Sequence, residues 1–176
     1  MLNLLISLFI INSLDVGIKF GPDFPIGNLQ RFYSTSATAG IYLQMNNVML
    51  DYSFSKLLSK TNNNENLYLH SATISYQYPF YSKNNLSLTA SFGGIYNRII
   101  REYENGKEIG SAFGLRYGFG YEKSFGSNNL LKNLNPSLVS NLYLKQIIES
   151  RSWNSTQLLS SNYLISLMFG INLRLI

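Results

Sequence analysis

Residues Gly110 to Glu122 read GSAFGLRYGFGYE, and large apolar side chains alternate with small or polar ones along this stretch. The large residues take every second position: Phe113, Leu115, Tyr117, Phe119 and Tyr121. A period of two belongs to the β-strand, in which successive side chains point to opposite faces. The stretch therefore predicts a strand with one broad apolar face and one face of small residues.

The same alternation occurs in seven further stretches, separated by breaks rich in Asn, Ser and Gly. They lie at residues 15–21, 37–45, 48–55, 67–80, 86–93, 137–145 and 165–174. Eight strands is an even number, and even numbers of antiparallel strands are typical of up-and-down barrels. The predicted fold class is all-β, an eight-stranded antiparallel up-and-down transmembrane β-barrel.

The polarity of the two faces favours a membrane location for this barrel. Only 13% of the residues are charged, against about 25% in a soluble domain. Rows of large aromatic and aliphatic residues suit contact with lipid, and small residues suit a narrow lumen. A bilayer offers the backbone no hydrogen bonds, so the strands must close on themselves. A soluble calycin-like barrel with its apolar rows inward has the same period and remains an alternative.

The N-terminal residues predict export. The apolar run LLISLFII, from Leu4 to Ile11, is too short for a membrane helix, which needs about 20 residues. It fits the apolar segment of a signal peptide. We predict a signal peptide over residues 1–14, truncated if the start codon is placed too far downstream, and a barrel domain over 15–176. The longer connections at 22–36, 56–66, 102–108 and 149–161 are then the external loops, and both termini lie in the periplasm.

Composition excludes several kinds of catalytic site. The chain has no Cys and one His, which excludes disulfides, thiol nucleophiles and multi-histidine metal sites. His70 precedes Ser71, but adjacent strand residues face opposite sides and cannot form a nucleophile–base pair. The sequence predicts no catalytic residue, no cofactor and no metal. A net charge of +5 without a Lys/Arg cluster gives no support to nucleic-acid binding.

The pattern of eight alternating segments resembles the OmpA/OmpX-type outer-membrane β-barrel families. The opening strand, Gly17-Ile18-Lys19-Phe20-Gly21, and the alternating C-terminal strand carry this resemblance. It implies location in the outer membrane of a Gram-negative-type bacterium and a structural or surface-interaction role. It also implies outer-membrane lipid, lipopolysaccharide and the barrel-assembly machinery as partners. Because lipid A deacylases and acyltransferases share this scaffold, a lipid-modifying enzyme working at the membrane rim remains an alternative.

Two groups of charged residues are candidate functional sites. The first faces the lumen and is expected to form a paired network, since a buried charge is costly alone: Lys19, Asp51, Arg116, Glu122 and Arg174. Lys145 also falls on the inward face. We expect side chains to fill the lumen, which would then not be an open pore. The second group lies toward the external side and could contact lipopolysaccharide phosphates: Lys56, Lys60, Arg98, Arg101 and Arg151.

Overall fold

The strands of the described structure form one closed barrel. The computed structural model describes residues 13–60, 65–125, 134–151 and 162–175. Its strands are β1 (Leu14–Ile26), β2 (Ser36–Met45), β3 (Val48–Leu58), β4 (Asn66–Lys83), β5 (Leu86–Tyr103), β6 (Gly106–Ser124), β7 (Leu134–Arg151) and β8 (Asn162–Leu175). Each strand pairs antiparallel with the next, and β8 pairs with β1. The predicted eight-stranded barrel is therefore confirmed.

The two ends of the barrel differ in their connections. The turn end carries the β2–β3 and β4–β5 turns, each of two residues, and the β6–β7 connection. Asn46, Asn84 and Asn85 have φ of 53°, 49° and 65° in those turns, a conformation that Asn tolerates better than most residues. The loop end carries the β1–β2, β3–β4, β5–β6 and β7–β8 connections. Of the predicted signal peptide, residues 1–12 lie outside the described residues, and Leu14 begins β1.

The predicted loops at this end are wrong in their extent. β1 continues to Ile26 through two prolines, Pro22 and Pro25. β5 and β6 continue to a two-residue turn at Glu104 and Asn105, so 102–108 is mostly strand. Polar residues interrupt the apolar alternation in these strand ends, so the alternation alone does not predict them.

The strands are staggered around the barrel. One set of register partners runs once around it: Leu14, Met45, Val48, Tyr76, Phe92, Tyr117, Leu144, Ile165 and Phe24. The circuit begins at Leu14 and returns to β1 at Phe24, ten residues closer to the loop end. The strands must therefore tilt, as in other narrow closed barrels. A register row followed from β1 toward β8 climbs toward the loop end.

The faces of the strands point as the alternation predicts. Phe113, Phe119 and Phe169 are outward and 50%, 65% and 45% exposed. Thr73 and Asn172 are inward and buried. The apolar rows thus form the outer surface, and the small or polar rows line the lumen.

One part of the lumen departs from this description. A buried apolar layer lies inside the barrel toward the loop end: Leu29, Tyr33, Leu57, Leu67, Leu69, Ile99, Ala112, Ile147 and Leu164. A short helix, α1 (Asn28–Phe32), contributes Leu29 to this layer, and the Leu29 amide donates to Asn162 Oδ1 at 3.2 Å. The expectation of a small, polar lumen throughout is wrong here, because α1 covers inward residues that water would otherwise reach. Among the described residues, no helix is long and apolar enough to cross a bilayer.

Candidate functional site

Three of the predicted lumen residues meet in the middle of the barrel. They come from strands far apart in sequence: Lys19 on β1, Asp51 on β3 and Arg116 on β6. Lys19 Nζ contacts Asp51 Oδ2, and Arg116 Nη1 lies 3.2 Å from the same oxygen. Arg116 also donates through Nη2 to Ser75 Oγ at 2.8 Å. One carboxylate therefore holds two buried cations.

Aromatic rings complete this mid-lumen cluster. The Tyr143 ring centre lies 4.4 Å from Arg116 Cζ and 4.9 Å from Lys19 Nζ. Tyr42 presents a second ring, with its centre 5.5 Å from Lys19 Nζ. The face of an aromatic ring attracts a cation, so the two tyrosines stabilise the positive charge that Asp51 does not neutralise.

The other two predicted residues, Glu122 and Arg174, form a separate cluster nearer the turn end. Arg174 binds Asp15 through two contacts of 3.0 Å, Nε to Oδ1 and Nη2 to Oδ2. Arg174 Nη2 lies 3.9 Å from Glu122 Oε1. Asn172 Nδ2 donates to Asp15 Oδ2 at 3.3 Å and to Glu122 Oε1 at 3.1 Å. The five predicted residues are thus divided between two clusters, and the principal partner of Arg174 is Asp15.

Lys145 and Asp23 form a third charged group in the lumen, after the two clusters. Lys145 Nζ lies 3.4 Å from Asp23 Oδ2, and Ser55 Oγ donates to that oxygen at 2.6 Å. Asp15 and Asp23 are further lumen acids outside the predicted set, although both share the inward parity of Lys19 along β1. Between the apolar layer and the turn end, the described lumen holds four bases and four acids: Lys19, Arg116, Lys145, Arg174, Asp15, Asp23, Asp51 and Glu122.

The basic residues predicted to contact lipopolysaccharide occupy different positions at the loop end. Lys56 and Arg98 are exposed on the outer wall, and Lys56 Nζ lies 5.5 Å from the centre of the Tyr68 ring. Lys60 Nζ donates to the backbone oxygen of Gln30 at 2.7 Å. Arg151 ends β7, and its side chain lies outside the described part of the structure.

Arg101, the remaining member of this group, takes part in a clamp at the rim of the lumen. Its Nε and Nη2 donate to Glu65 at 2.8 Å and 3.1 Å, and the Tyr33 hydroxyl donates to Glu65 Oε1 at 2.6 Å. The hydrogen bonds from Arg101 hold the pKa of Glu65 below its ordinary value. Burial and the adjacent Glu65 raise the pKa of the Tyr33 phenol. This clamp joins the β1–β2 and β3–β4 connections to β5.

His70 lies on the outer wall, within an aromatic cluster. The Tyr52 hydroxyl is 2.7 Å from His70 Nδ1, and the Phe54 ring centre is 5.0 Å from that of His70. Ser71 is buried on the lumen side, where its hydroxyl donates to Asn97 Oδ1 at 2.7 Å. The wall of the barrel separates His70 from Ser71. Among the described residues, no group of three His, Asp or Glu side chains is placed to hold a metal ion.

Comparison with known proteins identifies similarity of fold. No protein-family model and no curated protein sequence matches the chain. Neisserial surface protein A, NspA, aligns over 90% of this chain and 95% of its own, with 12% identity and a TM-score of 0.64. The outer membrane protein OprG from Pseudomonas aeruginosa aligns over 92% of this chain and 95% of its own, with 9% identity and a TM-score of 0.50. The chain has the fold of these small barrels, as the resemblance to OmpA/OmpX-type proteins predicts.

Proposed function

We propose that this chain is an outer-membrane β-barrel of a Gram-negative-type bacterium, with a structural or surface-interaction role and a lumen closed to passage. The observation that carries the proposal is the inverted polarity of the closed barrel. Large apolar side chains cover its outside, while ionised pairs such as Lys145–Asp23 lie within. A lipid environment favours this arrangement, and water opposes it.

The soluble alternative requires the opposite arrangement. A calycin-like carrier keeps an apolar interior for its ligand and a charged exterior for water. Here the middle of the lumen holds Lys19, Asp51 and Arg116, and the outward rows of the same strands are apolar. The distribution of side chains therefore supports insertion in a membrane.

The contents of the lumen support a closed barrel. The apolar layer under α1 lies toward the loop end, and the mid-lumen cluster lies below it. Eight-stranded barrels enclose a space just wide enough for side chains to fill. An ion entering this barrel would have to displace both the apolar layer and the paired charges.

The positions of His70 and Ser71 support a binding or structural role, because the two side chains lie on opposite faces of the wall and cannot act together as base and nucleophile. His70 faces outward, while Ser71 faces the lumen and is hydrogen-bonded there to Asn97. The loop end, which carries α1 and the clamp at Glu65, is the external surface in this proposal. Its connections are the parts of the chain available for contact with other surfaces.

Reconstitution of the purified chain in lipid vesicles tests both parts of the proposal. We expect the unheated protein to migrate differently from the heated protein on a gel, since a closed barrel resists detergent until it is boiled. We expect the vesicles to retain a small sugar, whereas vesicles with a general porin release it. A chain that stays monomeric in water without detergent would contradict the membrane role. Release of the sugar at the porin rate would contradict the closed lumen.

A further inference from the structure

We propose that the outer wall binds a phosphorylated, acylated glycolipid of the lipid A type, and this proposal rests on the membrane role above. Lys56, His70 and Arg98 would bind its phosphate, and a groove on the same wall would hold one acyl chain. The geometry that points to this site is the junction of the groove with the basic cluster at β3, β4 and β5.

The groove lies between two neighbouring outward rows of the barrel. Its volume is about 770 Å³, and its lining is almost wholly apolar. One row includes Tyr52, Ala72 and Tyr96, and the row on its turn-end side includes Ile74 and Gly94. A Cβ atom built on Gly94 would meet nothing within 4 Å. The missing side chain at Gly94 and the small one at Ala72 leave space that an acyl chain can fill.

The stagger of the strands sets the direction of this groove. Its lining extends from Ile18 on β1 to Phe113 on β6 along the register rows. Because these rows approach the loop end as they pass from β1 to β6, the β5–β6 end of the groove lies nearer the loop end than the β1 end does. An acyl chain in the groove would therefore descend from the loop end, the external side, into the depth of the membrane.

The basic cluster lies immediately above the groove. His70 and Arg98 are register partners on β4 and β5, in the row next to Ala72 and Tyr96 toward the loop end. Tyr52 belongs to both features, because it lines the groove and its hydroxyl lies 2.7 Å from His70 Nδ1. When this hydroxyl donates, the ring proton resides on Nε2, which can then donate to a ligand oxygen. A polar headgroup above Tyr52 and an apolar chain below it would match the two ends of one lipid.

Charge and shape at the cluster suit a phosphorylated sugar. The Arg98 guanidinium can bind a phosphate through two parallel hydrogen bonds, and Lys56 supplies a second cation. The Phe54 and Tyr68 rings stack, with centres 6.0 Å apart, and offer flat apolar faces beside Lys56. The nearest outward acid along β5 is Glu102, four residues beyond Arg98, and its register partner is Lys107. The cluster is therefore positively charged where the phosphate would lie.

Native mass spectrometry of the folded barrel with bis-phosphorylated lipid A tests the site. We expect the double variant Lys56→Gln/Arg98→Gln to weaken binding at least about tenfold, because even one lost charge-assisted contact has that effect. We expect the single variant Gly94→Leu to weaken binding about tenfold as well, because the leucine side chain would occupy the space left for the acyl chain. Two matched controls should change binding less than about twofold, since surface changes away from a site have small effects. They are Lys83→Gln/Lys123→Gln at the turn end, and Ala90→Leu, outward on β5 and outside the groove.

Ligand variants separate the two halves of the site. Lipid A without phosphates should bind the wild-type barrel as weakly as lipid A binds Lys56→Gln/Arg98→Gln. Inorganic phosphate alone should compete poorly, because it leaves the groove empty. Full competition by phosphate, equal binding of phosphatidylglycerol, or unchanged binding by Gly94→Leu would each overturn the proposal. The heat-dependent gel shift is measured on the same samples, so failure to form a membrane barrel is distinguished from failure of the site.

Discussion

Asp51 shows how a single side chain can organise the inside of a barrel. Its carboxylate contacts Lys19 and Arg116 together, and all three side chains are almost completely buried. A buried charge is tolerated when an opposite charge and hydrogen bonds accompany it. The three residues are therefore interdependent, but not equally so, because Asp51 forms an ion pair with each of the other two.

Replacement of Asp51 should cost more stability than replacement of either partner. We expect Asp51→Asn to lower the free energy of unfolding by about 3–5 kcal/mol, the cost of leaving a buried charge unpaired. Lys19→Met should cost less, since Asp51 then still pairs with Arg116. Urea unfolding in vesicles, followed by the gel shift, measures both variants, with Ser53→Ala on the same strand as the control. Equal losses for Asp51→Asn and Lys19→Met would contradict this ranking.

The clamp at Glu65 should loosen in acid. The pKa of Glu65 in the fold lies below its ordinary value of 4.5, through the hydrogen bonds from Arg101. The stabilisation is therefore present above the ordinary value and is lost as the pH falls through the lowered pKa. Amide hydrogen exchange around Tyr33, corrected for its intrinsic pH dependence, should accelerate across this interval.

Variants at two carboxylates distinguish loss of the clamp from a general effect of acid on hydrogen exchange. In Glu65→Gln, the amides around Tyr33 should exchange quickly at every pH, without a stepwise acceleration as the pH falls. Glu104→Gln, in the exposed β5–β6 turn, should keep the step of the wild-type chain. A step that persists in Glu65→Gln would assign the pH dependence to another group.

Among the elements, α1 is short, but it determines what fills the loop end of the lumen. One of its side chains, Leu29, is completely buried, whereas Phe32 is exposed. The helix follows Gly27, whose φ of 74° and ψ of −137° lie in a region that glycine occupies readily. These features place Leu29 inside the barrel and Phe32 outside it.

Truncation of Leu29 should release the helix from the lumen. We expect Leu29→Ala to lower the free energy of unfolding by about 2–5 kcal/mol, as for other buried leucines. It should also expose the backbone after Arg31 to trypsin in the folded protein. Phe32→Ala on the same helix should leave both the unfolding energy and the rate of cleavage nearly unchanged. Equal sensitivity of the two variants would place Leu29 outside the core.

The alternation of side chains predicts the middle of every strand and the direction in which it faces. It does not predict strand ends, because beyond the lipid boundary both faces can be polar, as around Glu102 and Lys107. The loop predicted over residues 22–36 therefore includes Asp23, although β1 continues past it to Ile26. Partners across the lumen, such as Asp51 and Arg116, depend on the stagger, which no single strand encodes.

For the whole molecule, the outer surface should tolerate charge according to depth. Phe169 lies midway along β8 and points outward, and Leu175 ends the same strand. We expect Phe169→Arg to lower the free energy of unfolding in vesicles by about 2–4 kcal/mol, the value for arginine at the centre of a bilayer. Leu175→Arg should cost about 0–1 kcal/mol, because arginine near the interface remains hydrated. A soluble barrel would show no such gradient.

The ten-residue offset between Leu14 and Phe24 makes pairing errors a property of the entire ring. If two neighbouring strands paired with their register shifted by two residues, they would still form hydrogen bonds with each other. The first and last strands, however, would no longer be aligned. Amide groups would then be stranded in hydrocarbon, where nothing can satisfy them. Closure of the ring therefore selects for correct pairing, because it occurs only when every pair of neighbouring strands has the right register.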